Sequence, residues 1–229
     1  MTGLLFHTLQ IKALLAFSPT TLFRRLGELD WYRDTLHTWI GTRAGNAPLR
    51  ALDVGCACGQ LCDHLHRSGH EVYGVDTSKA MIRAAGRLNP AVEFAVADAY
   101  RIPFAEETFD LVSAASLINI VAAPDRLLAQ MARVCRPGGW VTLLFPLSGF
   151  SDHRLHKYMA ALGLSGFSKA ALCAWHRSAP KTSIEKVRAL LEGAGLACLT
   201  ERGYLNGMVA SVSARKPDQK GVGDNRESK

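Results

Sequence analysis

A doubly wound α/β fold built on a mostly parallel, seven-stranded sheet is predicted by two observations. From residue 50 onward short apolar runs alternate with stretches of helical periodicity, the rhythm of parallel strands joined through crossover helices. Three consecutive predicted strands also carry a carboxylate at or just beyond their C-terminal ends, Asp53, Asp76 and Asp98. In a doubly wound sheet these ends converge on the crevice where ligands bind.

The elements follow in order. Arg50–Gly55 reads as a buried strand, and Gln60–Ser68 as a helix closed by Gly69. Glu71–Asp76 is the second strand, and Ser78 can cap a helix from Lys79 to Leu88 that Asn89-Pro90 ends. Val92–Val96 and Phe109–Ala115 are the third and fourth strands. A helix over Asp125–Cys135 stops at the turn Arg136-Pro-Gly-Gly139, before a fifth strand over Trp140–Phe145. Thr182-Ser-Ile-Glu185 reads as a capping box opening a helix that Gly193 and Gly195 close. Leu196–Tyr204 and Met208–Ala214 form the last strand pair, joined at Asn206-Gly207.

Two segments stand outside this rhythm. Residues 147–181 contain amphipathic stretches at Asp152–Leu162 and Ser168–Trp175, and a connection so long is usually a cover or binding loop. Residues 1–45 include an aromatic helix pattern from Trp31-Tyr32 to Trp39. The expected organisation is an N-terminal helical cap over 1–45, a ligand-binding domain over 46–214 with 147–181 as its cover, and a disordered tail over 215–229.

The chain has 229 residues, is 48% apolar and carries a net charge of +7, all consistent with one globular domain. The basic excess lies in residues 1–50 and 151–229, while 51–150 carries more acids than bases. That distribution leaves an acidic substrate or nucleic acid open, although a solvated surface with a basic tail is the favoured reading. Residues 1–27 hold Lys12, Arg24 and Arg25 and no acid, which fits either a mitochondrial transit peptide or a lid. No uninterrupted apolar run reaches membrane-spanning length. Cys56, Cys58 and Cys62 cluster, but without a second pair or Cys/His knuckle no metal site is expected. The cysteine pattern suggests no disulfide framework and points to a reducing cytoplasm.

The turn after the first strand is Leu52-Asp53-Val-Gly55-Cys-Ala57-Cys-Gly59. Small residues at every second position let a ligand approach the backbone. A dinucleotide site would space its glycines as G-x-G-x-x-G, and the acid at Asp53 suits a cationic amine rather than pyrophosphate. Asp76 can accept both hydroxyls of a ribose, and Asp98 the amine of an adenine. Each acid alone could equally be a helix cap or turn residue.

These residues resemble class I S-adenosylmethionine-dependent methyltransferases. Asp53 to Gly59 is similar to their motif I, usually Asp-x-Gly-x-Gly-x-Gly; Gly74-Val-Asp76-Thr77-Ser78-Lys-Ala-Met81 to motif II; Ala97-Asp98-Ala99 through Phe104 to motif III; and Phe109-Asp110-Leu-Val112 to motif IV. The segment Arg133-Val-Cys-Arg-Pro-Gly-Gly139 also matches. Residues 48–146 carry the likeness closely and 182–214 loosely, nearest to the small-molecule branch that includes quinone-biosynthesis enzymes. The resemblance implies a Rossmann-like methyltransferase fold and S-adenosylmethionine as cofactor. It places Asp53 toward the methionine amine, the backbone from Gly55 through Ala57 to Gly59 along the cofactor, Asp76 with Thr77 at the ribose, and Met81, Asp98 and Ala99 at the adenine. Ala115 closes the fourth strand beside them. Two departures stand out: Ala57 replaces a glycine, a problem if the position needs a positive φ, and Leu117-Ile118-Asn119-Ile120 replaces the relatives' Leu-His-His.

Activated methyl chemistry needs alignment first and a base only for a protonated nucleophile. Asn119 is the candidate pocket residue, with His153 and His156 as candidate bases and His176 as a further histidine in the cover. The Asn/Asp-Pro-Pro-Tyr/Phe run of base-amine methylation is absent, as is a Pro-Cys for attack on cytosine, which argues against nucleic acid. The predicted activity is methyl transfer to a small, partly apolar molecule. An RNA methyltransferase and a catalytically silent, cofactor-binding scaffold are the alternatives.

Overall fold

Every residue of β1 (Arg50–Val54) after Arg50 is buried, the pattern expected of a strand covered on both faces. The computed structural model describes residues 2–45 and 47–218 and sets β1 third in the order of a seven-stranded sheet. The other strands are β2 (Glu71–Asp76), β3 (Glu93–Val96), β4 (Phe109–Ala115), β5 (Cys135–Pro146), β6 (Ala197–Tyr204) and β7 (Val209–Arg215). Their order is β3-β2-β1-β4-β5-β7-β6. β1 to β5 pair in parallel, while β7 runs antiparallel to both β5 and β6. The order reverses between β1 and β4, which opens the crevice beyond Val54.

Two apolar layers cover the sheet. One holds residues from α1 (Thr2–Phe17), α2 (Pro19–Gly27), α3 (Asp30–Ala44), α4 (Gln60–Arg67), α7 (Asp152–Ala161) and α8 (Gly166–Ser178). The other is built by α6 (Pro124–Val134) and α9 (Ile184–Gly193). α5 (Lys79–Leu88) packs on β2 and β3 at the edge. Among the described residues no helix is long and apolar enough to cross a membrane.

Residues 1–45 thus contribute three helices, and the last is core. Trp39 on α3 is fully buried and its Nε1–H donates to Thr142 Oγ1 on β5 at 2.9 Å. Thr142 in turn shares a 2.7 Å hydrogen bond with Ser213 on β7.

Several boundaries differ from the sequence reading. β5 begins at Cys135, because Arg136–Gly139 is a bulged extension of the strand rather than a turn, with a register shift between Phe109 and Leu111 opposite it. The cap of α9 is Ser183, whose hydroxyl accepts from Lys186 N, one residue beyond the predicted cap. The β6–β7 connection is a short 3₁₀ turn, Leu205–Gly207, in which Leu205 and Asn206 both take positive φ. The predicted tail starts too early. Arg215 belongs to β7, and Lys216 exchanges backbone hydrogen bonds with Gly138 and Gly139. The rest of it, 219–229, lies outside the described residues.

Candidate functional site

The turn after β1 is stitched to the end of β2. Both Gly55 N and Cys56 N donate to Val75 O, at 2.8 and 3.0 Å. Gly55, Ala57 and Gly59 all take positive φ, at 77°, 48° and 78°. At Gly59 glycine is required, since a Cβ would lie 2.7 Å from Phe94 Cζ. At Ala57 the L side chain is held in the left-handed region, a conformation costing about 1–2 kcal/mol. Ala57→Gly should therefore stabilise the protein by about 0.5–1 kcal/mol after glycine's greater unfolded-state entropy is counted. Denaturant unfolding is the check; a loss of stability would contradict it.

Asp76, ending β2, faces this turn. Its Oδ2 accepts from Ala57 N at 3.1 Å and its Oδ1 from Ser78 N at 2.8 Å. Ser78 caps α5 as expected, accepting from Met81 N. Met81 is buried, its sulfur 3.5 Å from Cys58 Sγ. Asp98 is exposed and closes its own turn, accepting from Tyr100 N at 2.9 Å.

Four of the predicted residues line one cavity. Gly55, Asp76, Thr77 and Ala99 enclose about 60 Å³ together with Val54, Val75, Ala97 and Leu117. That volume holds about two waters and is far smaller than an S-adenosyl compound. Leu117 is what fills the space, for a Cβ built on Gly55 would lie 3.3 Å from Leu117 Cδ2. The wall is otherwise backbone, small apolar side chains, the Thr77 hydroxyl and one carboxylate, groups suited to a ribose and an adenine. Ala115 is half-buried at the end of β4, beside Ser116, whose amide bonds Leu144 O.

Asp53 lies deeper. It is 3% exposed, accepting from Ser113 Oγ at 2.9 Å and from Cys62 Sγ at 3.9 Å. Burial pushes its carboxyl up to about 7, the Asp76 charge adds to the rise, and the Ser113 and Cys62 hydrogen bonds oppose it. The Tyr32 phenol on α3 is pushed up to about 12, by burial first and then by the nearby Asp53 and Cys58. Tyr32 was visible only as part of an aromatic pattern, with nothing in its spacing to show that it feels the charge of Asp53.

The cover residues divide. Asn119 is half-buried; its Nδ2 donates to Pro180 O at 2.9 Å, and its buried Oδ1 has no hydrogen-bond partner among the described residues. His153 and His156 do not join it. α7 turns Leu155 and Met159 inward, which rotates both histidines to solvent, and His156 Nδ1 lies 2.6 Å from Asp152 O. His176, on α8, is the buried histidine. Its Nε2 lies 3.5 Å from Asp152 Oδ1 and its Nδ1 has no partner among the described residues. Burial, then the charge of Lys181, lowers its pKa against the pull of Asp152.

Comparison with known proteins agrees with this architecture. Residues 52–143 match the family described as a methyltransferase domain. The chain is 27% identical to a ubiquinone biosynthesis O-methyltransferase of Mesorhizobium japonicum, over 88% of this chain and 85% of that one. It is 34% identical to a demethylmenaquinone methyltransferase of Renibacterium salmoninarum over 50% of this chain and 47% of the relative. Other curated relatives are likewise spanned over about half their length, between 44% and 60%. The fold is similar to phosphoethanolamine N-methyltransferase 2 of Haemonchus contortus solved with S-adenosyl-L-methionine, with a TM-score of 0.65 at 15% identity over 91% of this chain and 60% of that one. The crevice at the order reversal lies within the span that is similar to a methyltransferase domain, residues 52–143.

Proposed function

We propose that the crevice beyond β1, β2 and β3 holds S-adenosylmethionine and that the methyl acceptor is a small, partly apolar molecule. The observation that carries this reading is the convergence of Gly55, Asp76, Thr77 and Ala99 on one cavity. In it Asp76 binds the ribose hydroxyls, Ala99 and Asp98 meet the adenine edge with Met81 behind them, and the backbone from Gly55 through Ala57 to Gly59 runs along the cofactor. Asp53 faces the methionine amine, whose positive charge favours its ionised form. When bound, the cofactor supplies an activated methyl group, and the chain's own task is to orient the acceptor and exclude water. Asn119, whose carbonyl oxygen has no hydrogen-bond partner among the described residues, is the group that would orient an acceptor hydroxyl or amine. His153 and His156, facing solvent, are left without a role. An acceptor of the quinone-precursor kind is supported by the names of the two relatives. Six free thiols support a reducing, cytoplasmic setting.

Isothermal calorimetry with S-adenosylhomocysteine tests this. The intact protein should bind it saturably. Asp76→Asn, which keeps one acceptor but loses the charge, should weaken binding about tenfold, or ~1.4 kcal/mol. Absence of saturable binding to the unaltered chain would remove the reading.

A further inference from the structure

Among the described residues nothing packs on one apolar face of helix α1. One side of the helix packs against α2 and α8, with Ile11 8% exposed and the His7 ring 6.4 Å from that of Phe167. On the other side Phe6 is 63%, Leu9 58% and Phe17 89% exposed. Ala13 and Ala16 are exposed between them, so residues 6, 9, 13, 16 and 17 form one stripe at helical spacing. Leu15, 58% exposed, widens the patch past Lys12. Of the eight large apolar side chains exposed among the described residues, four lie on this helix. That concentration separates it from the scattered exposure normal on a soluble surface.

The flanking charges choose the occupant. Lys12 is exposed beside the stripe, Arg24 is exposed on α2, and residues 1–27 contain no acid. A second copy laid on this face would bring those cations together with no acid from either segment to offset them. An apolar stripe bordered by cations is the pattern of a helix lying in a lipid interface, and 16 residues are too few to span one. We propose that α1 docks the enzyme on an anionic bilayer surface, with Phe6, Leu9 and Phe17 inserted at the acyl boundary and Lys12 and Arg24 at the headgroups. The helix that follows the docking helix adjoins the turn after β1. From α2, Thr20 O accepts from Cys58 Sγ at 3.7 Å and Phe23 O from Gln60 Nε2 at 2.8 Å. An apolar acceptor dissolved in the bilayer would then enter beside the crevice, a corollary that rests on the proposed function; the docking itself does not.

Co-sedimentation of the full chain with vesicles decides the matter. The protein should bind vesicles containing phosphatidylglycerol, bind pure phosphatidylcholine vesicles much less, and release as salt rises. The variant Phe6→Gln/Leu9→Gln/Phe17→Gln alters exposed positions only, so it should fold, bind S-adenosylhomocysteine as before, and lose vesicle affinity by about tenfold or more. Equal sedimentation of the two proteins, or none for the parent, overturns the proposal. So does a dimer in sedimentation velocity that the triple variant dissolves, which would assign the stripe to a second copy. Vesicle binding without S-adenosylhomocysteine binding would sink the functional reading and leave the docking intact.

Discussion

Trp39→Ala should destabilise the protein by about 3–5 kcal/mol, the range for removing a fully buried indole. Part of the loss is the cavity left between α3 and the sheet. The rest comes from Thr142 and Ser213, whose hydroxyls are buried and satisfied through the Trp39 Nε1–H. Losing one partner of a buried network costs more than the bond's net contribution. Urea unfolding at constant pH is the measurement, and Trp39→Phe, which keeps most of the volume, should lose clearly less. A loss under about 1 kcal/mol, the scale of an ordinary surface substitution, would mean that α3 is not part of the sheet's core.

A second large effect concerns pH. Asp53 has a folded-state pKa near 7 against about 3.9 for the unfolded chain. Between those values the folded state holds the extra proton, so stability falls as pH rises through the window. The contribution lost between pH 5 and pH 7 is about 2 kcal/mol. Asp53→Asn mimics the protonated form and cannot ionise, so its stability relative to the parent should improve by that amount from pH 5 to pH 7. Parallel slopes for the two proteins would contradict the burial of this carboxyl. If Asp53 also meets the methionine amine, binding of S-adenosylhomocysteine below pH 7 should release a proton, visible as a buffer-dependent enthalpy that Asp53→Asn lacks.

The strands and their carboxylates were readable because β1 and β4 are buried on both faces and β2 ends on Asp76 as its apolar run does. A continuous apolar run reports burial directly. Gly55 and Asp76 followed from position at strand ends, Thr77 and Ala99 from the resemblance, and all four line one cavity. Residues on helices were harder to read. Whether His153 or His156 faces inward depends on the rotation of α7, which Leu155 and Met159 set by packing beneath the helix. Leu117 read as a departure from a motif, whereas its contact with Gly55 emerges only from the path of the chain after β4. At Ala57 the doubtful point was backbone geometry, and the positive φ makes the substitution strained.

The reversed direction of β7 has a practical consequence. It starts beside Pro146, at the end of the sheet that carries the crevice, and finishes with Arg215 beside Trp140 at the far end. Lys216 is then fastened to Gly138 and Gly139. A handle joined beyond residue 218 therefore starts from the edge opposite the crevice, so a sensor chip or resin gripping the protein there would present the crevice to the passing solution.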